Sequence, residues 1–320
     1  MGQKTSVIPA ANYSVFADSL LTSEHWKGIE VDRSLQMFSF LNSTEELNCF
    51  RDQVLFGEDL SIAASSLQNV GGALKGISVV PNAVGLGALV IAMILDVFAK
   101  SLNKQTLGTA EMLERVFAQE KANEVRDLME EYLKRLQINL AHPQLQLAET
   151  RRAEVELSAQ LTRLKNSMVK DGHMGTRFLK QWVNGAAFHT QMLIHQARLE
   201  GTLGSRALRA AEVYHQQLNL LLNQYKKFLK TVVFVGPEDN TCFRYCLDRD
   251  KHFCQITYRE FSRSRVLVPH PDPDCHLTRK ADQLLDAMFV KPQLTSTTTY
   301  FLDLQTNIPT LVQQNSSFHL

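Results

Sequence analysis

Twenty consecutive residues, 76–95, carry no charge, and any fold this chain adopts has to find cover for them. Asp96 and Lys100 close the run. As a helix it would rise about 30 Å, one hydrocarbon thickness. A helix that is apolar all round is stable only away from water, inside a protein core or in lipid. Small residues are interleaved through the segment. Gly72 with Gly76, and Ala83 with Gly87, have the spacing that lets two helix backbones approach closely. Pro81-Asn82 interrupts the run, and proline in a helix interior costs about 3 kcal/mol. The uninterrupted part, 83–95, is the length of a core helix or a re-entrant segment. Three placements are therefore open: a permanent core helix, a helix stored in the core and released into a membrane, or a constitutive span. For the membrane placements the candidate inserting residues are Gly76, Val79, Val80, Pro81, Val84, Gly85, Leu86, Gly87, Leu89, Val90, Ile91, Ile94 and Leu95. Gly85-Leu86-Gly87 is not a dinucleotide-binding turn, because Val90 stands where the third glycine belongs and no strand is evident before it.

From Thr106 onward the pattern changes to long amphipathic helices. Ala118, Ala122, Val125, Met129, Tyr132, Leu136 and Leu140 keep near-heptad spacing until Pro143 breaks it. A second stripe, Leu157, Leu161, Leu164 and Met168, predicts a helix over 145–170, stopped by Asp171-Gly172. Phe178, Trp182, Ala186, His189, Leu193 and Gln196 mark one face of a third, ending near Gly201–Gly204. Leu208, Ala211, His215, Leu218, Leu222, Tyr225 and Leu229 mark a fourth. Stripes of this kind bury against one another, so the expected fold is mainly α, an elongated antiparallel helical bundle with a buried or membrane-inserting apolar helix. Before residue 76, shorter helices are expected over 11–21, 32–41 and 44–56, with Asp32 as an N-cap and a capping-box-like start at Ser43-Thr44-Glu45-Glu46.

After Lys230 the composition predicts a small α+β C-terminal region. The expected elements are a turn at Gly236-Pro237, a hairpin of 241–247 with 253–261, a loop at 269–276, a helix over 278–289 and a strand over 295–304. Three units are thus expected: 1–60 with N-terminal helices, 61–230 as the bundle, and 231–320.

Met1-Gly2-Gln3-Lys4-Thr5-Ser6 fits the pattern for N-myristoylation at Gly2. One such chain holds a membrane only marginally, so a second signal is needed. Five cysteines without a secretory leader indicate a cytoplasmic chain, peripheral to or inserted in a membrane. Cys242, Cys246, Cys254 and Cys275, with His252, His270 and His276 nearby, are candidates for a zinc site, for disulfides or for free thiols. Their spacing has no CxxC knuckle. His189, His195 and His215 sit on or near the bundle stripes and are read as core histidines.

A formal net charge of +1, from 34 basic and 33 acidic side chains, offers no concentrated basic surface for nucleic acid. No P-loop, H-E-x-x-H, G-x-S-x-G, EF-hand or kinase signature is present, so neither an enzyme nor a cofactor is expected.

A polar N-terminal region, a Gly/Ala/Val-rich segment at 79–99 and then long amphipathic helices: in this order the chain resembles the rapunzel-like proteins of fishes. More loosely it resembles the apolipoprotein L group and the α-pore-forming toxins. The likeness covers roughly residues 60 to 230 and implies a membrane-active role for the apolar segment alone. Two functions are carried forward. One is a membrane-inserting protein that forms an oligomeric pore or permeabilises a bilayer. The other is a myristoylated peripheral adaptor or scaffold whose apolar helix is only core. The expected partners are a lipid membrane, further copies of the chain, and a protein bound through the C-terminal region.

Overall fold

The computed structural model describes residues 29–41, 43–55, 79–117, 123–237, 252–258, 264–270 and 281–319, with the single positions 14, 17, 18 and 21. Gly2, Gly76, Cys242, Cys246 and Cys275 lie outside these residues, as does most of the helix expected over 11–21. The described chain is mainly α-helical.

Two short helices come first, α1 (Arg33–Ser39) and α2 (Glu45–Leu55). Asp32 caps α1 as expected, its Oδ1 accepting the Ser34 amide at 2.9 Å. The same carboxylate pairs with Arg115 through two bonds of 2.8 Å, and the Asp32 amide donates to Asn184 Oδ1 at 2.7 Å. One cap residue therefore joins three parts of the molecule.

The apolar segment divides into a three-residue strand, β1 (Val79–Pro81), a tight turn, and helix α3 (Leu86–Ser101). The sequence pattern did not reveal β1. The turn needs Asn82 at φ 55° and Gly85 at φ 57°, left-handed conformations that asparagine and glycine tolerate best. Gly87 is required for space, because a Cβ there would lie 2.5 Å from the Asn82 carbonyl oxygen.

A 3₁₀ turn (Thr109–Glu111) and helix α4 (Met112–Phe117) follow. Helices α5 (Glu124–Ile138), α6 (Pro143–Lys170), α7 (Thr176–Glu200) and α8 (Ser205–Val232) then run back and forth through short turns. The single stripe expected from Ala118 to Leu140 does not make one helix. Asn123 starts α5 afresh by accepting the Val125 and Arg126 amides, both at 3.1 Å, and Ala118 and Ala122 lie outside the described residues. Proline occupies the first turn of α6, where its missing N–H leaves no intrahelical bond unmade.

Helix α7 is the axis of the fold. It packs on α1, α3, α4, α5, α6 and α8. Nearly every side chain from Leu179 to Arg198 is buried, so it has no solvent face, although the sequence showed one apolar stripe. At Gly185 a Cβ would meet Leu161 Cδ2 at 2.7 Å and Val125 Cγ1 at 3.0 Å, which is how α5 and α6 come so close to α7. On α8 the fully covered face is Ala207, Ala211, Tyr214, Leu218, Leu221, Tyr225 and Leu229. It is turned slightly from the predicted stripe, so that Leu208 is exposed.

Strands β2 (Val233–Pro237), β3 (His252–Tyr258) and β4 (Ser264–His270) form an antiparallel sheet in that order. Gly236-Pro237 is therefore the end of a strand and not a turn, with Pro237 opposite Cys254. The strand over 252–258 pairs with 233–237 and with 264–270, which places the end of β4 where a loop was expected; 241–247 lies outside the described residues. Helix α9 (Ala281–Phe289) is as anticipated. The predicted strand over 295–304 is instead part of helix α10 (Pro292–Leu311), which packs on α8, α7 and α9. Its threonines suggested a strand, yet Leu294, Thr297, Tyr300, Phe301, Leu304, Ile308 and Leu311 bury at helical spacing. Thr295 and Thr306 bond back to the carbonyls four residues earlier. The last element, β5 (Ser317–His319), returns to pair antiparallel with β1, Val79 facing His319 and Pro81 facing Ser317.

Candidate functional site

The residues singled out for membrane insertion lie mostly inside the molecule. Val80, Val84, Leu86, Leu89, Val90, Ile91 and Leu95 are at most 2% exposed. Gly87 is buried, Pro81, Gly85 and Ile94 are half-buried, and Val79 is exposed. Among the described residues no helix is long and apolar enough to cross a membrane.

The structure adds the ties that hold the segment in place, and these converge on both of its ends. At the entry, β5 lies along β1, and the Ala83 amide donates to the Ser316 carbonyl at 3.0 Å. Phe318 is fully buried beneath this strand pair, with the Arg51 guanidinium 5.5 Å from its ring centre. Arg51 also donates to the His319 carbonyl at 2.8 Å. Arg198, near the end of α7, reaches into the same junction. Its Nε donates to the Gln314 carbonyl at 3.0 Å and its NH1 to the Val84 carbonyl at 3.2 Å. One buried guanidinium thus holds the turn before α3 and the tail before β5 together. Burial, with no carboxylate among the described residues to offset it, pulls its pKa down to about 10.

At the exit, Asp96 is fully buried, and its Oδ2 accepts the amides of Thr109 and Ala110, the latter at 3.1 Å. The carboxylate caps the 3₁₀ turn, where unpaired amides and a positive dipole end favour an anion. Asp96 looked in the sequence like the boundary of an apolar run; in the fold it is the pin at the far end of α3.

The bundle histidines are in contact with other groups but do not form a ligand cluster. His189 Nδ1 lies 3.0 Å from the Tyr214 hydroxyl, and its Nε2 lies 3.4 Å from Glu154 Oε2. Arg206 donates to the other Glu154 oxygen at 2.7 Å. Burial alone would raise the Glu154 pKa, but the bonds from His189 and Arg206 outweigh it and hold the carboxyl below its ordinary value. His195 Nε2 lies 3.0 Å from Gln146 Oε1. Burial, with a smaller push from the Arg198 charge, drives the His195 pKa down to about 3. His215 is half-buried on α8, 3.3 Å from Asn219. Among the described residues no three His, Cys, Asp or Glu side chains are grouped to hold a metal ion. Of the four C-terminal cysteines, Cys254 is on β3, opposite Pro237 and Val268.

Sequence reasoning missed Arg198, Gln314 and β5. The bonds from Arg198 to Val84 and Gln314 span 114 and 116 residues, and no local pattern reports a contact at that distance. A weak signal existed in Arg198 itself, the first charge after 181–197, a run polar only by amides, threonine and histidine. No family model matches the chain, and neither a curated protein nor a solved structure is detectably similar to it.

Proposed function

We propose that this is a membrane-associating helical protein that stores its apolar helix in the bundle and delivers it, with the segment before it, to a bilayer. The observation that carries this reading is the distribution of ties around α3. Its sides are held by apolar packing, which lipid can replace. Its specific polar attachments lie at the two ends, Arg198 and the β1–β5 pair at the entry and Asp96 at the exit. Opening two polar junctions frees the element without rebuilding the rest of the bundle. A helix of 16 residues rises about 24 Å, less than one hydrocarbon thickness. Delivery therefore calls for a partial or re-entrant insertion, or for assembly of several copies into a pore. The organisation shared with helical membrane-active proteins, and the lipidation pattern at Gly2, are in keeping with this.

A second reading, a myristoylated peripheral adaptor whose apolar helix is only core, is favoured by Asp96. A buried carboxylate is a poor passenger into lipid. The two readings separate in one experiment. Val79 and His319 are paired neighbours across the antiparallel ladder, where Cα atoms sit about 4.5–5.5 Å apart, within the range a disulfide spans. Val79→Cys/His319→Cys protein in which Cys49, Cys242, Cys246, Cys254 and Cys275 are all replaced by serine, and Gly2→Ala removes the myristate, is floated with liposomes. The insertion reading expects flotation after reduction and none in the oxidised, stapled form. Equal flotation of both forms would show that α3 stays in place, and absence of flotation in both would leave the adaptor.

A further inference from the structure

Arg198 is a buried cation. Among the described residues no carboxylate pairs with it; it has two neutral carbonyl acceptors, and its NH2 has none. The side-chain amide nitrogens of Gln191 and of Gln314, the residue whose carbonyl Arg198 holds, are also buried without acceptors. Gln191 precedes Arg198 by seven positions on α7, so both project from one face of the helix. Both reach the same place. A Cβ on Gly85 would lie 3.7 Å from Gln191 Oε1 and 3.9 Å from Arg198 NH1. Gly85 is the N-cap of α3 and supplies no side-chain oxygen to its first turn. A helix N-terminus and a guanidinium with an unpaired N–H thus meet with no negative charge among the described residues, and the Gln191 carboxamide, whose oxygen faces Gly85, brings its own unpaired nitrogen to the site by a half-turn of its amide plane.

We infer that this cluster is a binding site for an oxyanion, the phosphate of a phospholipid headgroup or of a free phosphate, and that filling it opens the clasp formed by β1 and β5. This rests on the reading proposed above. A guanidinium bonds a phosphate in a charge-assisted, two-pronged manner that neutral carbonyls cannot match. An anion on Arg198 therefore takes its donors from Val84 and Gln314, the two carbonyls by which it ties the turn before α3 to the tail before β5. Because the site is buried, the anion enters only as residues 314–319 lift. Binding and opening are one coupled equilibrium, and an anion that prefers the open form draws the protein toward it.

The test is hydrogen exchange at the amides of Val79, Val80, Ala83 and 317–319 in the full chain. It is run in inorganic phosphate against chloride of equal ionic strength, and with phosphatidylcholine vesicles with or without phosphatidic acid. Exchange at the clasp is expected to rise about tenfold with the anion, an ordinary two-site coupling. A response to inorganic phosphate identifies a free anion as sufficient; a response only to phosphatidic acid vesicles assigns the headgroup as the source. Arg198→Gln should exchange fast from the start and respond to neither. Gln191→Leu keeps both carbonyl ties, so its exchange should begin as slow as the wild type and respond several-fold less. Exchange that ignores phosphate in both forms, or Gln191→Leu and Arg198→Gln proteins that respond as fully as the wild type, would overturn the site. Clasp opening without flotation on any vesicle would retain the site and remove the insertion reading. Equal flotation on neutral and acidic vesicles with an unresponsive clasp would do the reverse.

Discussion

Acidification should weaken this fold largely through His195. Its ring is 1% exposed, its Nε2 faces Gln146, and its Nδ1 has no partner among the described residues. Burial and the nearby Arg198 charge hold its pKa at about 3, against an ordinary value of 6.5. Between those two values the unfolded chain binds a proton that the folded chain refuses. Stability therefore rises with pH across that window and falls as the pH is lowered through 6.5 toward 3. From pH 7 to about pH 5 the expected loss from this one residue is about 2 kcal/mol. The assay is urea unfolding at both pH values for the wild type and for His195→Gln, which keeps an amide donor near Gln146 and cannot titrate in this range. Glu154, held below its ordinary carboxyl value, begins to lose its contribution only at lower pH, so the comparison isolates the histidine. The variant should show a pH dependence flatter by about 2 kcal/mol. Equal slopes for the two proteins would mean that the folded and unfolded chains protonate His195 alike, and the reasoning would fail. The consequence for the clasp is direct, since Arg198 sits one turn further along the same helix.

Three other perturbations test separate parts of the structure. Asp96→Ala removes the cap on the 3₁₀ turn and leaves two amides unpaired, so chemical denaturation should show a loss of about 1–3 kcal/mol, with faster exchange at Thr109 and Ala110. Gly185→Val places atoms on Leu161 and Val125 and should lower stability by about 1–3 kcal/mol in thermal unfolding; an unchanged midpoint would mean that α5 and α6 do not sit as described. Thr299 is exposed within α10, so Thr299→Pro should cost about 3 kcal/mol while Thr299→Ala is neutral or mildly stabilising. An edge strand at this position would tolerate the proline far better and reject the alanine, which reverses the order.

Much of the architecture follows from local signals. The limits of α6, α7 and α8 were written in Pro143, Asp171-Gly172 and Gly201–Gly204, because prolines, turn formers and left-handed glycines act on their immediate neighbours. Asp32 was recognisable as a cap for the same reason, since its bond to Ser34 closes within two residues. The need to hide 76–95 was equally plain, because an uncharged run has few stable environments. What covers it was not legible. The choice between strand and helix at 295–304 went to helix because α8 and α7 bury Leu294, Phe301, Leu304 and Ile308 together, an outcome set by neighbours distant in sequence that outweighs threonine's preference for strands. Helix α7 showed one apolar stripe and is buried on every side, since Asn184 meets Glu30 and Asp32, His195 meets Gln146 and Arg198 meets Val84 and Gln314, partners that only the folded chain provides. The pairing of 79–81 with 317–319, and the single guanidinium that ties both strands' approaches, belong wholly to the tertiary structure. A residue's own sequence neighbourhood determines the geometry of a turn or a cap; which buried charge lacks a counterion is decided only when segments more than a hundred residues apart are brought within 3 Å or so of one another.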